Sequence, residues 1–174
     1  GDILSIDHRK IKGEETKQKI LMASTKIISI EGTNGLSARK ISELAGMSKS
    51  NVFHHYPTMD MILEELFTNI CSSMTVPIAQ EKFVSIVDFF KTMGDKTFNL
   101  KGEALDEYKV LLSFYSEMVH ENRFKPQLMA LKNGFRDFII ETVKEIEGII
   151  LDPVFAESIV IDIDGLGLHY LIEL

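Results

Sequence analysis

The sequence has little of what secreted and membrane-spanning proteins require. Its 174 residues include a single cysteine, Cys71, so no internal disulfide can form, and the chain suits a reducing cytoplasm. The most apolar stretch, 154–174, is interrupted by carboxylates such as Asp162 and Asp164 and is not expected to span a bilayer. The opening residues, GDILSIDHRK, lack the apolar core of a signal peptide.

Motifs for catalysis and metal binding are also missing. The sequence contains no nucleophile elbow, no phosphate-binding loop and no His-Glu-x-x-His pattern. On a helix, the adjacent His54 and His55 would point about 100° apart, and neither is followed four residues later by a cysteine or a carboxylate. We therefore expect no enzymatic activity, no metal site and no cofactor.

Charge is divided unevenly along the chain. The 19 Lys and Arg residues against 26 Asp and Glu give a net charge of −7, which alone argues weakly against DNA binding. However, residues 1–60 carry a net +2, with Arg9, Lys10 and Lys12 just before the predicted first helix, whereas residues 61–174 carry −9. A mildly basic region on an acidic body is typical of regulators rather than of non-specific nucleic-acid coat proteins.

Residues 37–56, SARKISELAGMSKSNVFHHY, predict two short helices joined by a tight turn. Ser37 and Ser48 are suited to cap the two helices, and Gly46 can adopt the positive φ that a sharp turn requires. Ile41 and Val52 fall where such a pair buries apolar side chains against a third helix. The second helix then exposes hydrogen-bond donors and a cation, with no carboxylate among them: Lys49, Ser50, Asn51, His54 and His55. This composition is expected of a recognition helix.

The helices on either side are predicted by their apolar periodicity. A first helix from about Glu14 to Glu31 would place Ile20, Ala23, Ile27 and Ile30 on one face. Pro57 would stop the recognition helix. Thr58 would cap a fourth helix with an apolar stripe of Leu63, Leu66, Phe67, Ile70 and Met74.

The segment from about Thr16 to Phe67 resembles the N-terminal domain of the tetracycline-repressor (TetR) family of transcriptional regulators. The resemblance is carried by the Ser-Lys after the turn, the aromatic-His-His-aromatic run, the proline and the Ser/Thr cap of a long helix. It implies an all-α fold with an N-terminal three-helix helix-turn-helix DNA-binding domain and a C-terminal helical ligand-binding and dimerisation domain. We place the arm and the DNA-binding domain at residues 1–57, the connecting helix at 58–76, and the effector-binding domain at 77–174.

The resemblance also implies which residues contact DNA. Arg39 matches a position from which some members reach a guanine, Phe53 replaces a frequent tyrosine, and Met59 replaces a lysine, which should weaken the electrostatic part of binding. The predicted contact set is Ser37, Arg39, Lys40, Lys49, Ser50, Asn51, Phe53, His54, His55 and Tyr56.

In the second domain, we predict helices near 79–93, 103–121 and 126–147 and after Pro153, with a weak segment around 94–102. The last two helices have wide apolar surfaces, and the resemblance implies that they pair with those of a second copy in a homodimer. The resemblance further implies a cavity for a small-molecule effector. Its expected lining is Phe89, Phe90, Met93, Phe114, Tyr115 and Met118.

The predicted function is therefore a ligand-responsive, homodimeric, cytoplasmic repressor. It would bind a palindromic double-stranded operator DNA, be released by a small-molecule effector, and have no membrane partner. Two alternatives remain: a helical adaptor that binds another protein through its acidic surface without binding DNA, and a small helical enzyme, for which no catalytic set is recognisable.

Overall fold

A computed structural model describes the backbone of residues 3–79 and 81–174 and the side chains of residues 8–74 and 81–174. Over these residues the chain forms eight α-helices, one short 3-10 turn (Thr33–Gly35) and no strand, which confirms the predicted all-α fold. The helices are α1 (Ile3–Glu31), α2 (Ala38–Ala45), α3 (Lys49–His55), α4 (Met59–Ala79), α5 (Ile86–Phe98), α6 (Gly102–His120), α7 (Lys125–Glu147) and α8 (Pro153–Glu173).

The chain divides into two compact units. The first comprises Gly1–Ile70 and Asp106–Phe114, and the second comprises Cys71–Leu105 and Tyr115–Leu174. Helices α4 and α6 therefore each contribute residues to both units. The predicted domain boundaries, after residues 57 and 76, stay a prediction. The compact units, in contrast, divide within α4, after Ile70.

In the first unit, α1 packs against α2 and α3 through a buried face that includes Ile20, Ile27 and Ile28. Two expectations for α1 were wrong. The helix begins at Ile3 rather than near Glu14, because no proline interrupts residues 3–13. Ile30 is 71% exposed, since the 3.6-residue period places Ile28, and not Ile30, beside Ile27 and Ser24 on the packed face.

Parts of α4 and α6 complete the first unit. Thr58 caps α4 as predicted, because its Oγ1 accepts a hydrogen bond from the Met61 amide at 3.3 Å. Leu66 and Phe67 are buried, and the Phe67 ring meets the Phe114 ring edge to face with centroids 5.0 Å apart. Lys26 of α1 forms an ion pair with Asp106 of α6 at 3.0 Å.

The second unit is built around the pairing of α7 with α8, against which α5 also packs. Its core consists of buried side chains from all three helices: Phe89, Met93, Ile139, Val143, Ala156 and Val160. The α5 prediction was wrong at both ends. The helix begins at Ile86 because the Ser85 Oγ accepts from the Asp88 amide at 3.1 Å, and it continues through Gly94 to Phe98.

No helix within the described part of the chain combines the length and the apolar character that a membrane crossing requires.

Candidate nucleic-acid interface

The turn between α2 and α3 is held by hydrogen bonds from its own residues. The Ser37 Oγ accepts from the Lys40 amide at 3.3 Å, and the Ser48 Oγ accepts from the Asn51 amide at 3.1 Å. Gly46 adopts φ 67° and ψ 38°, and the following Met47 amide donates to the Ser42 carbonyl at 3.0 Å. This left-handed glycine with a backward hydrogen bond ends α2 and turns the chain into α3.

Helix α3 is anchored on α2 by a buried apolar side chain. Val52 is fully buried together with Ile41 of α2. Lys49, Ser50, Phe53 and His54 are exposed, Asn51 and His55 are half-buried, and Phe53 has 46% of its surface exposed. The exposed face therefore presents a cation, amide and hydroxyl donors and an aromatic edge. Such groups can bond to base edges and phosphates in a major groove.

The two predicted cations of α2 already have partners within the protein. Arg39 Nη1 lies 3.1 Å from Glu43 Oε1, an exposed pair one helical turn apart. Lys40 Nζ forms an ion pair with Glu31 at the end of α1, and this pair holds α2 against the helix before it. Within the described part of the chain, by contrast, no carboxylate pairs with Lys49 of α3. Lys49 can therefore bind a DNA phosphate or base without first leaving a protein carboxylate. Arg39 and Lys40 would each have to break an ion pair to do so.

Tyr56 differs from the rest of the predicted contact set, because only 2% of its surface is exposed. Its hydroxyl donates to Glu65 Oε2 of α4 at 2.9 Å, and Lys17 Nζ of α1 lies 5.6 Å from the centre of its ring. Burial and the Glu65 carboxylate raise the pKa of Tyr56 well above its usual value. In this structure the side chain packs α3 against α1 and α4 instead of pointing to solvent. The position of Tyr56 at the end of α3 does not reveal that its hydrogen-bond partner is Glu65, nine residues further along the chain.

The two histidines at the end of α3 meet in an edge-to-face arrangement with ring centroids 5.2 Å apart. Desolvation lowers the pKa of His55, and the charges of His54 and Lys17 lower it further, while Glu14 acts in the opposite direction. The lowered pKa favours the neutral His55 ring, in which one nitrogen can donate and the other can accept. Within the described residues, no group of three His, Cys, Asp or Glu side chains is arranged to hold a metal ion.

Sequence reasoning missed the residues that support α3 from behind. Glu65 anchors the Tyr56 hydroxyl, Lys17 covers its ring, and Glu31 holds Lys40. All three are charged residues on helices outside the turn, and their spacing along the chain gives no signal of these contacts. Only the packing of α1 and α4 around the turn reveals them.

The predicted effector-pocket residues are distributed over both compact units and stay a prediction. Phe114 belongs to the first unit, where it is fully buried against Phe67, whereas the other five residues belong to the second unit. Phe89 and Met93 are buried in the core of that unit, and Phe90 is 41% exposed. Tyr115 is half-buried and donates to Asp164 Oδ2 at 3.2 Å. One surface groove lies on α1 and is lined by none of these residues.

An all-helical chain with a capped helix-turn-helix near its N-terminus belongs to the class of helix-turn-helix DNA-binding regulators. Residues 20–66 match the family described as bacterial regulatory proteins, tetR family. This segment matches the DNA-binding domain of that family, which confirms the resemblance. The family consists of DNA-binding regulators and not of enzymes, in agreement with the prediction.

Solved structures support the fold over about nine-tenths of the chain. A protein from Saccharomonospora viridis, described as a transcriptional regulator and solved in complex with choline, has a TM-score of 0.74 at 17% identity, covering 91% of this chain and 86% of its own. GusR of Salmonella enterica has a TM-score of 0.72 at 15% identity, with coverages of 88% and 82%. The multidrug-binding protein EbrR, complexed with malachite green, has a TM-score of 0.59 at 17% identity, with coverages of 89% and 86%. No curated protein matches the chain.

Proposed function

We propose that this protein is a homodimeric repressor that binds a palindromic operator through α3 and leaves it when a small molecule binds the second unit. The observation that carries the proposal is the outward face of α3. It presents Lys49, Ser50, Asn51 and His54, contains no carboxylate, and is held rigidly by two serine caps and Gly46. A major groove offers acceptors at guanine and adenine edges between two rows of phosphates, which matches these donors.

The dimer is supported by the exposed surface of α8. Apolar or small residues recur at alternating intervals of four and three along its outer face: Val154, Ser158, Ile161, Gly165, Leu168 and Ile172. The four large side chains of this stripe are between 47% and 75% exposed, and the two small residues would allow a partner helix to approach closely. A 4-3 repeat of this kind favours side-by-side helix packing. A twofold dimer of this surface would present two copies of α3 to a palindromic site.

Ligand response is supported by the ligands of two structures with the same fold, choline and malachite green. In the present chain, the second unit offers a half-buried polar pair, Tyr115 and Asp164, among its aromatic side chains. Helix α4 contributes residues to both units. A ligand that shifts the second half of α4 would therefore move Leu66 and Phe67 in its first half. A coupling free energy of about 1–3 kcal/mol between ligand binding and DNA binding would lower the operator affinity 5–150-fold.

The test begins with selecting a palindromic operator from a random library and measuring its affinity against salt concentration. Lys49→Ala is expected to cost about 1–3 kcal/mol on the operator, with a smaller loss on random DNA. Arg39→Ala should cost less than Lys49→Ala if the Arg39–Glu43 pair persists in the complex. Lys101→Ala, an exposed lysine of the second unit, is the matched control and should change neither affinity.

One outcome would contradict the proposal, and a second would change the role of Lys49. Absence of salt-dependent DNA binding by the native protein would favour the alternative adaptor role, in which the acidic surface binds another protein. Equal losses on operator and random DNA would reassign Lys49 to phosphate contact. Repression is tested separately with an operator-controlled reporter in the cytoplasm of a bacterial host, in which choline and cationic dyes are screened for release.

A further inference from the structure

The two ends of α3 are held in different ways. At the N-terminal end, the Gly46 turn and the Ser48 cap fix the backbone directly. At the C-terminal end, the chain leaves the helix in an extended conformation at Tyr56, with φ −131° and ψ 91°, and Pro57 follows. Because this second end lacks a glycine turn, its position depends on how the Tyr56 side chain packs.

The Tyr56 side chain contacts both helices that flank α3. Only 2% of its surface is exposed, its hydroxyl donates to Glu65 Oε2 of α4 at 2.9 Å, and Lys17 Nζ of α1 lies 5.6 Å from the centre of its ring. Burial and the Glu65 carboxylate raise the pKa of Tyr56, so the hydroxyl keeps its proton and can donate at neutral pH. The hydrogen bond is the directional part of this packing, and it ties the end of α3 to α4.

The length of α3 shows what this anchor controls. Seven residues span about 10 Å, so a tilt of about 10° at the N-terminal end displaces the C-terminal end by about 2 Å. The contact made by Val52 is apolar and non-directional, so it tolerates such a tilt. Asn51, Phe53 and His54 lie in the part of the helix that moves, whereas Lys49 lies at the anchored end.

Operator and random DNA differ in their demand for this geometry. A hydrogen bond to a base edge requires a fixed distance and direction, and it weakens steeply when the donor is misaligned. Contacts from long, flexible cations to phosphates tolerate a shift and carry no sequence information. A loose C-terminal end of α3 would therefore lower the affinity for the operator and leave the affinity for random DNA nearly unchanged.

We propose that the hydrogen bond from Tyr56 to Glu65 contributes to operator specificity by fixing the C-terminal end of α3. Tyr56 is then a positioning residue for the groups of α3 that read the bases, and not the DNA contact that the sequence predicted. This inference rests on the proposed DNA-binding function.

The test compares operator with random DNA for variants of the two residues. Tyr56→Phe and Glu65→Leu each remove the hydrogen bond. Each should lower the ratio of operator to random-DNA affinity by at least about fivefold, the smallest discrimination that one base contact provides. Glu65→Gln keeps an acceptor oxygen and should keep a ratio close to the native one. The double variant Tyr56→Phe/Glu65→Leu should show no further fall, because both changes remove the same interaction.

Two controls separate specificity from stability and from charge. Partial unfolding, which circular dichroism will detect, lowers the affinity for both DNAs by the same factor and leaves their ratio unchanged. Glu64→Leu removes the same charge from the neighbouring, exposed position of α4 and should keep the native ratio. A native ratio in Tyr56→Phe, or an equal fall in Glu64→Leu, would overturn this inference. Absence of DNA binding by the native protein would instead overturn the proposed function.

Discussion

The proposed functions rest on two exposed surfaces, the faces of α3 and α8, and these surfaces differ in length and in polarity. The face of α3 is short and polar, and the Gly46 turn and the Ser48 cap fix its N-terminal end. The face of α8 runs the length of a 21-residue helix and is apolar, with Ile161 52% exposed and Ile172 70% exposed. Hydrogen-bond donors match the edges of a nucleic acid, whereas an extended apolar stripe is covered by another protein surface. The chain thus keeps its proposed DNA contacts and its proposed self-association on separate helices.

The same contrast explains what the sequence predicted well. The caps at Ser37, Ser48 and Thr58 and the turn at Gly46 depend on atoms within a few residues of one another, so local rules located them correctly. Both ends of α7 and the start of α8 were also predicted to within a residue, since a proline lies in the first turn of each helix and Gly148, with φ 68°, ends α7.

What the sequence could not predict depends on distant partners. The burial of Tyr56 requires Glu65 of α4 and Lys17 of α1, and neither is visible from the pattern around the tyrosine. The resemblance implied that Phe89 and Phe114 line one cavity, and nothing in the sequence showed that they pack in different compact units. The early start of α1 and the late start of α5 were missed because apolar periodicity is weak in both segments.

The largest effect is expected for substitutions on the exposed face of α8, which should weaken the proposed dimer. Ile161→Glu/Leu168→Glu puts two charges on the exposed stripe, and burying them unpaired in a helix pair is strongly unfavourable. Each replacement of a central interface residue should cost about 2 kcal/mol or more, so the dimer should weaken by roughly 1,000-fold. Sedimentation equilibrium at micromolar concentration should show a monomer that retains its helical content.

The matched control removes exposed apolar residues from elsewhere in the second unit. Val84→Glu/Val87→Glu adds the same charge at positions that are 90% and 72% exposed, just before α5 and in its first turn. This variant should sediment like the native protein. If it dissociates as readily as the α8 variant, the self-association surface is not confined to α8, and the comparison with α3 fails.

A smaller effect is expected when Tyr56 or Tyr115 is replaced. The hydroxyl of each donates a hydrogen bond to a carboxylate. Tyr56→Phe removes the donor to Glu65 at 2.9 Å and should cost about 1–2 kcal/mol of unfolding free energy. Tyr115→Phe removes the donor to Asp164 at 3.2 Å. Burial raises the pKa of Asp164, while Lys132 and the Tyr115 hydrogen bond act to lower it. Losing the tyrosine hydroxyl therefore raises this pKa further.

The sign of the pH dependence follows from that shift. A carboxyl whose pKa is higher in the folded state destabilises the protein as pH rises from the unfolded pKa through the folded pKa. The penalty of Tyr115→Phe should therefore be larger at about pH 7 than at about pH 4, near the reference value for an aspartate. Urea unfolding at both pH values measures this. A Tyr115→Phe penalty that is equal at both would show that Asp164 does not feel the hydroxyl.

The smallest effects are expected for two glycines. The turn between α2 and α3 requires Gly46, whereas Gly134 has no part in that turn. Gly46 ends α2 at φ 67°, a conformation that costs an L-residue about 1 kcal/mol, so Gly46→Ala should lower the unfolding free energy by about that amount. Gly134 lies in the exposed middle of α7, and an added Cβ there meets no atom within 4 Å. Gly134→Ala should therefore stabilise the protein by roughly 0.5–1 kcal/mol, because alanine is the better helix former. Denaturant midpoints with unchanged slopes would give both values, and Gly46→Asn should fall between Gly46→Ala and the native protein. If Gly46→Ala were as stable as the native protein, the turn would not depend on its left-handed residue, and the rigidity assigned to the α3 surface would be lost.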